Sequence, residues 1–310
     1  MKKPVKLLSV GALTLDTILR VDQLPTHQGK FIASDGVQIA SGMATSAACA
    51  AHRLGAQVSL WASAGDDSVG DQLVAGIEAE GVDCGFVRRV SGARSALASI
   101  LVDAHGERII VPFYDSRAQV APEALPVADL SAFDAVLVDV RWPGAAALAL
   151  KAARAAGRPA ILDADTAPLA VLEQLLPLAS HIVASEPAAR IICGQALDLE
   201  TTCTDLASRT DAFVAVTGGP AGTWWFDRAA GSSRHVAAPR IKAVDTLAAG
   251  DVFHGAFAVG LAEAMPVEQA LRFASAAAAL KCQRFGGRLG APDRAETLAM
   301  VAAHWPAEQA

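Results

Sequence analysis

The chain has 310 residues, of which 53% are hydrophobic and 19% are charged, and its formal net charge is −6. This composition supports a large hydrophobic core and argues against a nucleic-acid partner, because binding a phosphate backbone needs a basic surface. The sequence shows no apolar leader and no charge-free run long enough to span a bilayer, and its five cysteines are scattered, so we expect a cytoplasmic protein with no membrane partner.

In chain order, short apolar segments alternate with alanine-rich segments. The first predicted strand, VKLLSVGAL, is followed by a helix from Ala44 to Leu54, the strand QVSLWASAG and a helix from Gly70 to Glu80. The unit then repeats with the strands AVLVDVRW, PAILDAD, HIVAS and FVAVTGG. This alternation predicts an α/β fold of three layers, α/β/α, with a mostly parallel central sheet in a single domain over residues 1–310.

Two segments, approximately 16–39 and 93–114, show strand-like alternation without helices. SALASILVDAHGERIIVPFY is typical of a hairpin, with Ala104, His105 and Gly106 at its turn. We expect the two segments to form a small sheet beside the main one, a lid over a ligand. The alternative is an edge hairpin of the main sheet.

The stretch VDTLAAGDVFHGAFAVG, residues 244–260, predicts a helix of unusual burial. Apolar residues in its second half cover nearly the whole circumference of a helix. The free N–H groups at its start then need acceptors inside the protein, and the small residues Ala248, Ala249 and Gly250 let a ligand approach them. Free amides and the helix dipole together favour an anion, most often a phosphate.

Asp251 belongs to the first turn of this helix, where we expect the helix field to keep its carboxylate ionised. A carboxylate beside a phosphate can accept the proton of an attacking hydroxyl group. The alternative from spacing alone is that Asp251 caps the helix and Asp245 ends a strand.

Five segments together resemble the pfkB (ribokinase-like) family of carbohydrate kinases. DTLAAGD resembles the D-T-x-G-A-G-D signature of that family, and SGMATSAACAAHRLGA resembles its N-terminal G-G-x-x-x-N signature. GALTLD resembles the first strand, TGGPAG the T-x-G-x-x-G turn at the nucleotide phosphates, and RFGGRLGAP the segment near the adenine. The resemblance covers nearly the whole chain and implies a ribokinase-like fold with a small β-sheet lid.

The resemblance also implies an activity, the transfer of a phosphoryl group from ATP, with Mg²⁺, to a small sugar. Asp251 would accept the proton of a sugar hydroxyl, and the amides of Ala248, Ala249 and Gly250 would stabilise the transferring group. On the sugar side the implied residues are Asp16, Ser41, Gly42 and Ser46. On the nucleotide side they are Thr217, Gly219, Gly222, Asp245, Thr246 and Gly286. A monovalent cation such as K⁺ and a homodimer formed through the lid sheet are implied as well.

Three departures from the family pattern bear on activity and substrate. Ala248 stands where the family has its first motif glycine; alanine keeps the N–H donor, and we expect a negative φ there, as at a helix start. Ser41 and Ser46 replace a glycine and the asparagine of the first signature, which predicts a substrate different from that of ribokinase itself. SEPAA stands where relatives carry N-x-x-E, and Glu186 is the predicted substitute for organising the water ligands of Mg²⁺.

The departures resemble one subgroup, the bacterial kinases of 6-deoxy-6-sulfofructose, in GKFIAS, DVRWPG, ASEP, DVFHGA and ALKCQRFGGR. Relatives there hold the sulfonate with a lysine, an asparagine and an arginine, and Lys30 and Arg141 match the first and the last. Pro112 stands at the middle position and cannot replace an asparagine. The resemblance therefore predicts an anionic ketose held by Lys30 and Arg141. A surface ion pair for Arg141 and an edge-strand role for Lys30 are the alternatives.

Other residues and other classes of protein fit parts of the pattern. His254 is predicted to be a packed helix histidine, and Asp163 and Asp165 end a strand where α/β proteins bind ligands.

A nicotinamide dehydrogenase is disfavoured because TGGPAG is followed by a strand-like segment instead of a helix. A sugar- or nucleoside-binding protein without turnover stays open, as does a ribokinase- or fructokinase-type enzyme for a neutral sugar.

Overall fold

The computed structural model describes residues 3–194 and 198–306. Within these ranges lie two β-sheets and nine α-helices. The helices span Met43–Arg53 (α1), Ser68–Glu78 (α2), Pro143–Ala155 (α3), Leu169–Leu175 (α4), Glu186–Cys193 (α5), Leu199–Ser208 (α6), Ala249–Ala262 (α7), Val267–Cys282 (α8) and Arg294–His304 (α9). The strands span Lys6–Gly11 (β1), Thr14–Arg20 (β2), Asp35–Ser41 (β3), Gln57–Gly65 (β4), Arg88–Val90 (β5), Ala96–Val102 (β6), Arg108–Phe113 (β7), Ala135–Val138 (β8), Ala160–Ala164 (β9), His181–Ser185 (β10), Phe213–Thr217 (β11), Thr223–Asp227 (β12) and Ser232–Val236 (β13).

The larger sheet has nine strands in the order β13-β12-β11-β10-β9-β8-β1-β4-β5. The strands from β11 to β5 in this order are parallel to their neighbours, and β12 and β13 form an antiparallel edge. Successive strand residues point to opposite faces, so Leu7 belongs to the core formed with α1, α2, α7 and α8, while Leu8 belongs to the core on the other face, formed with α3 to α6. The predicted mostly parallel sheet with helices on both faces is confirmed.

The smaller sheet has four strands in the order β3-β2-β6-β7. The hairpin predicted in the second lid segment is formed by β6 and β7, with Gly106 at a φ of 81° in its turn. The buried face of this sheet, which includes Ile18 and Ile100, packs against Leu247 in the loop before α7. The small separate sheet expected from the sequence is therefore present, and it lies over the segment that leads into the buried helix.

Helix α7 lies in the core, packed against α1, α8 and the strands β1, β8 and β9. It is buried continuously from Val252 to Gly260. A Cβ atom on Gly255 would lie 2.3 Å from the carbonyl oxygen of Ala47, so a glycine at this position lets α7 and α1 approach closely. In the part of the chain that the structure describes, no helix combines the length and the apolar character that a membrane span needs.

Candidate active site

The N-terminus of α7 opens onto free space. Gly250 is exposed, and a Cβ atom built on it would meet no other atom within 4 Å. The amide of Ala249 forms a long turn hydrogen bond, 3.3 Å to the carbonyl oxygen of Thr246. A helix that is otherwise buried thus begins with amide donors at an open surface, which is the arrangement that binds phosphate groups.

Ala248 precedes this helix in a left-handed conformation, with φ 61° and ψ 12°. The expectation of a negative φ at this position is wrong, because Ala248 caps the helix and still belongs to the tight loop before it. A left-handed residue other than glycine costs about 1–2 kcal/mol. The glycine that the family carries here is explained by this φ, and alanine keeps the N–H group at the cost of local strain.

Asp251 projects from the first turn of α7 and keeps partial exposure to solvent. Its pKa is raised well above the usual range, first by burial and then by the negative charges of Asp163, Asp165, Asp139 and Asp16. Burial and the surrounding acids therefore act against the expected stabilisation of the ionised carboxylate by the helix field. A raised pKa suits a group that takes up a proton during a reaction.

The four residues predicted on the sugar side lie together where the lid meets α1. Strands β2 and β3 pair so that Thr14 faces Ser41, and the hydroxyl of Thr14 donates a 2.6 Å hydrogen bond to the carboxylate of Asp16. The hydroxyl oxygens of Ser41 and Ser46 are 3.3 Å apart. Gly42 has a φ of 112°, and a Cβ atom on it would lie 2.5 Å from a neighbouring carbonyl oxygen, so this turn accepts only glycine. These carboxylate and hydroxyl groups are suited to hydrogen bonds with a polyol.

Asp139, which the sequence analysis did not single out, anchors this region. Its carboxylate accepts hydrogen bonds from the amides of Ala12 at 2.8 Å, Ala44 at 2.9 Å and Arg141 at 2.8 Å. Burial raises the pKa of Asp139, although the three amide donors act to lower it. The side chain therefore ties together the ends of β1 and β8 and the start of α1. Its place at the end of the apolar segment AVLVD was the available signal.

The predicted sulfonate ligands are found in different settings. Lys30 is exposed in the loop between β2 and β3, so its expected place in a lid strand is wrong. The guanidinium of Arg141 donates a hydrogen bond of 2.9 Å to the carbonyl oxygen of Thr166, in the loop after β9. It also lies 3.5 Å from the carboxylate of Asp165. Pro112 is exposed in the edge strand β7. Arg141 thus already has an anionic partner, in line with the ion pair considered as its alternative role.

Asp245 and Gly286, predicted on the nucleotide side, contact each other. The carboxylate of Asp245 accepts hydrogen bonds from the amides of Leu247 at 2.8 Å, Gly286 at 3.0 Å and Gly287 at 2.9 Å. It also lies 3.2 Å from the ammonium nitrogen of Lys281, and neither side chain is exposed at all. These contacts give Asp245 and Gly286 a role in shaping the loop, and nucleotide contact by the two residues stays a prediction.

Thr246 meets the lid. Its hydroxyl donates to the carbonyl oxygen of Gly106 at 2.8 Å and accepts from the guanidinium of Arg108, also at 2.8 Å. The turn of the lid hairpin therefore touches the loop that precedes α7. Arg108, which sequence reasoning missed, brings a positive charge close to the open end of the helix.

The other nucleotide-side residues lie in the turn that leaves β11. Thr217 is the last residue of β11, and the 3₁₀ turn Gly219–Ala221 leads into β12. Gly222 has a φ of 86°, and a Cβ atom on it would lie 2.4 Å from the carbonyl oxygen of Val236. The turn stands at the carboxyl end of a parallel strand, where α/β proteins bind ligands. Nucleotide contact by these residues stays a prediction.

Glu186 begins α5 and forms an i,i+4 ion pair with Arg190, at 2.5 Å. Asp165 accepts a 3.0 Å hydrogen bond from the hydroxyl of Ser185. Asp165 and Glu186 directly follow the neighbouring strands β9 and β10. Within residues 3–194 and 198–306, no group of three or more acidic, histidine or cysteine side chains forms a metal-ligand cluster. The donor set still fits Mg²⁺ bound mainly by phosphates and water, because Mg²⁺ commonly takes only one or two carboxylates.

Tyr114 follows the lid strand β7 and is the one tyrosine in the sequence. Burial raises its pKa to about 12, and the charges that act on it are those of Arg141, Asp139, Asp16 and Asp251. The lid therefore brings a phenol to the same set of acids that surrounds Asp251. Its position at the end of the predicted hairpin was the sequence signal that Tyr114 belongs to the lid.

His254 is held within α7, as predicted. Its Nδ1 atom lies 2.7 Å from the carbonyl oxygen of Gly250, and its Nε2 atom lies 3.2 Å from that of Val183 and 3.4 Å from Asp163 Oδ1. Burial lowers its pKa. The ring connects the first turn of α7 with the strands β9 and β10.

Comparisons with known proteins agree with this geometry. Residues 5–294 match the model of the pfkB family carbohydrate kinase. The ribokinase of Haemophilus influenzae is 30% identical over 298 residues, which is 93% of this chain and 96% of that protein. The ribokinase of Bacillus subtilis is 30% identical over 293 residues, with the same coverage of the two chains.

Solved structures share the whole fold. A protein of Agrobacterium tumefaciens, provisionally assigned as a ribokinase, is 47% identical with a TM-score of 0.94, and the match covers 97% of this chain and 98% of that one. The ribokinase of Arabidopsis thaliana, solved with ribose and ATP, is 24% identical with a TM-score of 0.80 and coverage of 97% and 99%. Because the identity of the second match is low, it shows a similarity of fold alone.

Proposed function

This chain belongs to the pfkB family of carbohydrate kinases, and on that premise we propose that it transfers the γ-phosphoryl group of ATP to a hydroxyl of a small neutral sugar of the ribose or fructose type. The observation that carries the proposal is the open N-terminus of α7 with Asp251 in its first turn. The charge of Asp16, on the sugar side, acts on Asp251, so the predicted proton acceptor and the predicted sugar ligand belong to one site.

The proposed reaction starts with the carboxylate of Asp251 accepting the proton of the sugar hydroxyl. The sugar oxygen then bonds to the γ-phosphorus, the bond from that phosphorus to the bridging oxygen breaks, and ADP leaves. Amides of Ala249 and Gly250 hydrogen-bond the transferring group and stabilise its charge. Mg²⁺, when bound with ATP, neutralises part of the phosphate charge, and the lid limits the access of water.

The electrostatics of the site favour a neutral acceptor. Burial raises the pKa values of Asp251, Asp163 and Asp16, and the negative charges of neighbouring aspartates add to the first two shifts. A second anion placed among these acids would be repelled, whereas hydroxyl groups can donate to them. The finer prediction of a sulfofructose substrate rests on Lys30 and Arg141 and has less support, because Arg141 is already paired and the relatives compared above are ribokinases.

The proposal is tested by ADP release and thermal shift with ribose, fructose, fructose 6-phosphate and sulfofructose. We expect turnover of a neutral sugar, with Lys30→Ala leaving its KM unchanged because Lys30 is exposed in a loop. Turnover confined to sulfofructose, with a KM that rises in Lys30→Ala, would show the anionic-ketose prediction to be right. Binding of a sugar without ADP release from any member of the panel would favour the binding protein without turnover.

We also propose that two copies pair through their lid sheets. The edge strand β7 carries Ile109, Ile110 and Val111, and β6 carries Leu97, all of them exposed. Strand alternation places Leu97, Ile109 and Val111 on one face of the lid sheet, and exposed apolar side chains that share a face favour an interaction site. Pairing of two lids would cover this surface and keep each lid hairpin in contact with its own Thr246.

A further inference from the structure

We propose that the ammonium group of Lys281 is a built-in cation of the active-site loop, and that this kinase therefore works without a dissociable monovalent cation. The family resemblance implies a cation such as K⁺. The residues beneath the loop before α7 are not suited to bind such a cation, and this disagreement is the basis of the proposal.

Lys281 lies in the last turn of α8 with none of its side chain exposed. Its Nζ atom is 2.6 Å from the backbone carbonyl oxygen of Asp245 and 3.2 Å from the carboxylate of the same residue. A lysine without any exposure is rare unless it is paired. Here one ammonium group binds both oxygen groups that Asp245 offers, directly beneath the loop that continues to Thr246 and Ala248.

The carboxylate of Asp245 is engaged by donors of the protein itself, which disfavours a second cation there. The amide of Leu247 donates to one carboxylate oxygen, and the amides of Gly286 and Gly287 donate to the other, at distances between 2.8 and 3.0 Å. Gly286, Gly287 and the ammonium group all donate to the same carboxylate oxygen and leave it no lone pair for K⁺, and the other oxygen, which accepts from Leu247, belongs to a side chain with no exposure. Arg108, whose charge also acts on Lys281, adds repulsion.

The ammonium group has two effects on the anion site. It neutralises the carboxylate of Asp245, which lies under the loop before the phosphate-binding amides, where an unpaired negative charge would oppose phosphate binding. It also fixes the carbonyl of Asp245, which begins the turn that places Ala248 in its left-handed conformation. Lys281 touches no substrate and is a positioning residue.

The test compares choline chloride with KCl and NH₄Cl at equal ionic strength. For the wild-type protein we expect the same Tm and the same rate of ADP release in all three salts. For Lys281→Ala we expect a lower Tm and a lower kcat in choline chloride. We expect K⁺ or NH₄⁺ to raise that Tm by at least about 3 °C and to restore part of the kcat. Lys151→Ala, on the exposed surface of α3, should behave like the wild type.

Two results would overturn the proposal. The first is a wild-type kcat that rises about tenfold or more when K⁺ replaces choline, since that is the behaviour of an enzyme that needs a free cation. The second is a folded Lys281→Ala protein whose Tm and kcat are as indifferent to K⁺ and NH₄⁺ as those of the wild type. If Lys281→Ala does not fold, the wild-type comparison decides. The Tm measurements use no sugar, so they do not depend on the substrate proposed above.

Discussion

The Nε2 atom of His254 lies 3.4 Å from Oδ1 of Asp163, and both side chains are buried. Burial lowers the pKa of His254 and raises that of Asp163. The other ring nitrogen of His254 contacts the carbonyl oxygen of Gly250, one residue before Asp251. The pair thus joins the end of β9 to the turn that bears the proposed proton acceptor, and the charge of Asp163 acts directly on Asp251.

The Asp163→Asn variant should move the acid limb of the pH–kcat profile to lower pH. Burial raises the pKa of Asp251 first, and among the neighbouring charges Asp163 has the largest effect. A proton acceptor works in its ionised form, so kcat rises with pH through the pKa of Asp251, and removing a negative neighbour lowers that pKa. The measurement is kcat against pH at saturating substrates.

The matched control for this profile is Asp211→Asn, which neutralises an exposed acid and should leave the limb in place. An acid limb that stays where it is in Asp163→Asn, or that moves to higher pH, would contradict the assignment of Asp251 as the group that titrates.

Replacing Ala248 by glycine should stabilise the protein by about 1 kcal/mol, because the left-handed conformation at φ 61° strains alanine but not glycine. Ala264→Gly is the matched control, since Ala264 has a φ of 57° at the end of α7 and is exposed away from the open helix tip. Urea unfolding should show a similar gain in both variants. A loss of stability in Ala248→Gly alone would mean that the methyl group makes contacts that outweigh the strain.

His181 should make the protein less stable in mild acid. Burial lowers the pKa of His181 from 6.5 to about 4, next to the rings of Phe213 and Phe257. Between these two pH values the unfolded chain binds a proton that the folded protein does not, so the stability from this group is present above pH 6.5 and is lost as the pH falls towards 4. We expect a loss of about 1–2 kcal/mol from pH 7 to pH 5.

The check for His181 is urea unfolding of the wild type and of His181→Gln at both pH values. Glutamine does not titrate, so the variant should lose less stability over this interval, while contributions from the buried acids are common to both proteins and cancel in the comparison. An equal loss in the two proteins would place the pH dependence on other groups.

A charge on the outer surface of the lid should weaken the proposed dimer. Val111 is 62% exposed in β7, so Val111→Lys should leave the monomer folded while placing like charges in a symmetric interface. We expect association at least about tenfold weaker by light scattering over a concentration series. Leu298→Lys, at an exposed apolar position on α9, is the control and should not change the mass. A wild-type protein that stays monomeric throughout the series would contradict the pairing.

Much of the fold could be predicted because it depends on patterns that repeat along the chain. The apolar circumference of the segment after Gly250 predicted a buried helix, and the alternation around Gly106 predicted the lid hairpin. Lys30 was misplaced because its segment has no internal pattern that separates a loop from an edge strand. The family signatures predicted that Asp16, Ser41 and Ser46 belong to one site.

The missed features all depend on contacts between distant segments. Lys281 looks like an ordinary helix lysine in sequence, and only its burial against Asp245 gives it a role. The positive φ of Ala248 follows from the shape of a loop that is closed by bonds to the lid and to α8. The raised pKa of Asp251 needs acids from several strands to converge. Patterns in the local sequence cannot predict such contacts between distant segments.

The central claim is that Asp251 accepts the proton of the sugar hydroxyl, and the most direct test is the kcat of Asp251→Asn for ADP release with the sugar that the panel identifies. We predict a fall of about 10²- to 10⁴-fold, with sugar affinity unchanged. The Tm should not be lower than that of the wild type, because the substitution removes a carboxylate that burial and its neighbours disfavour. Turnover by Asp251→Asn at the wild-type rate would contradict the account.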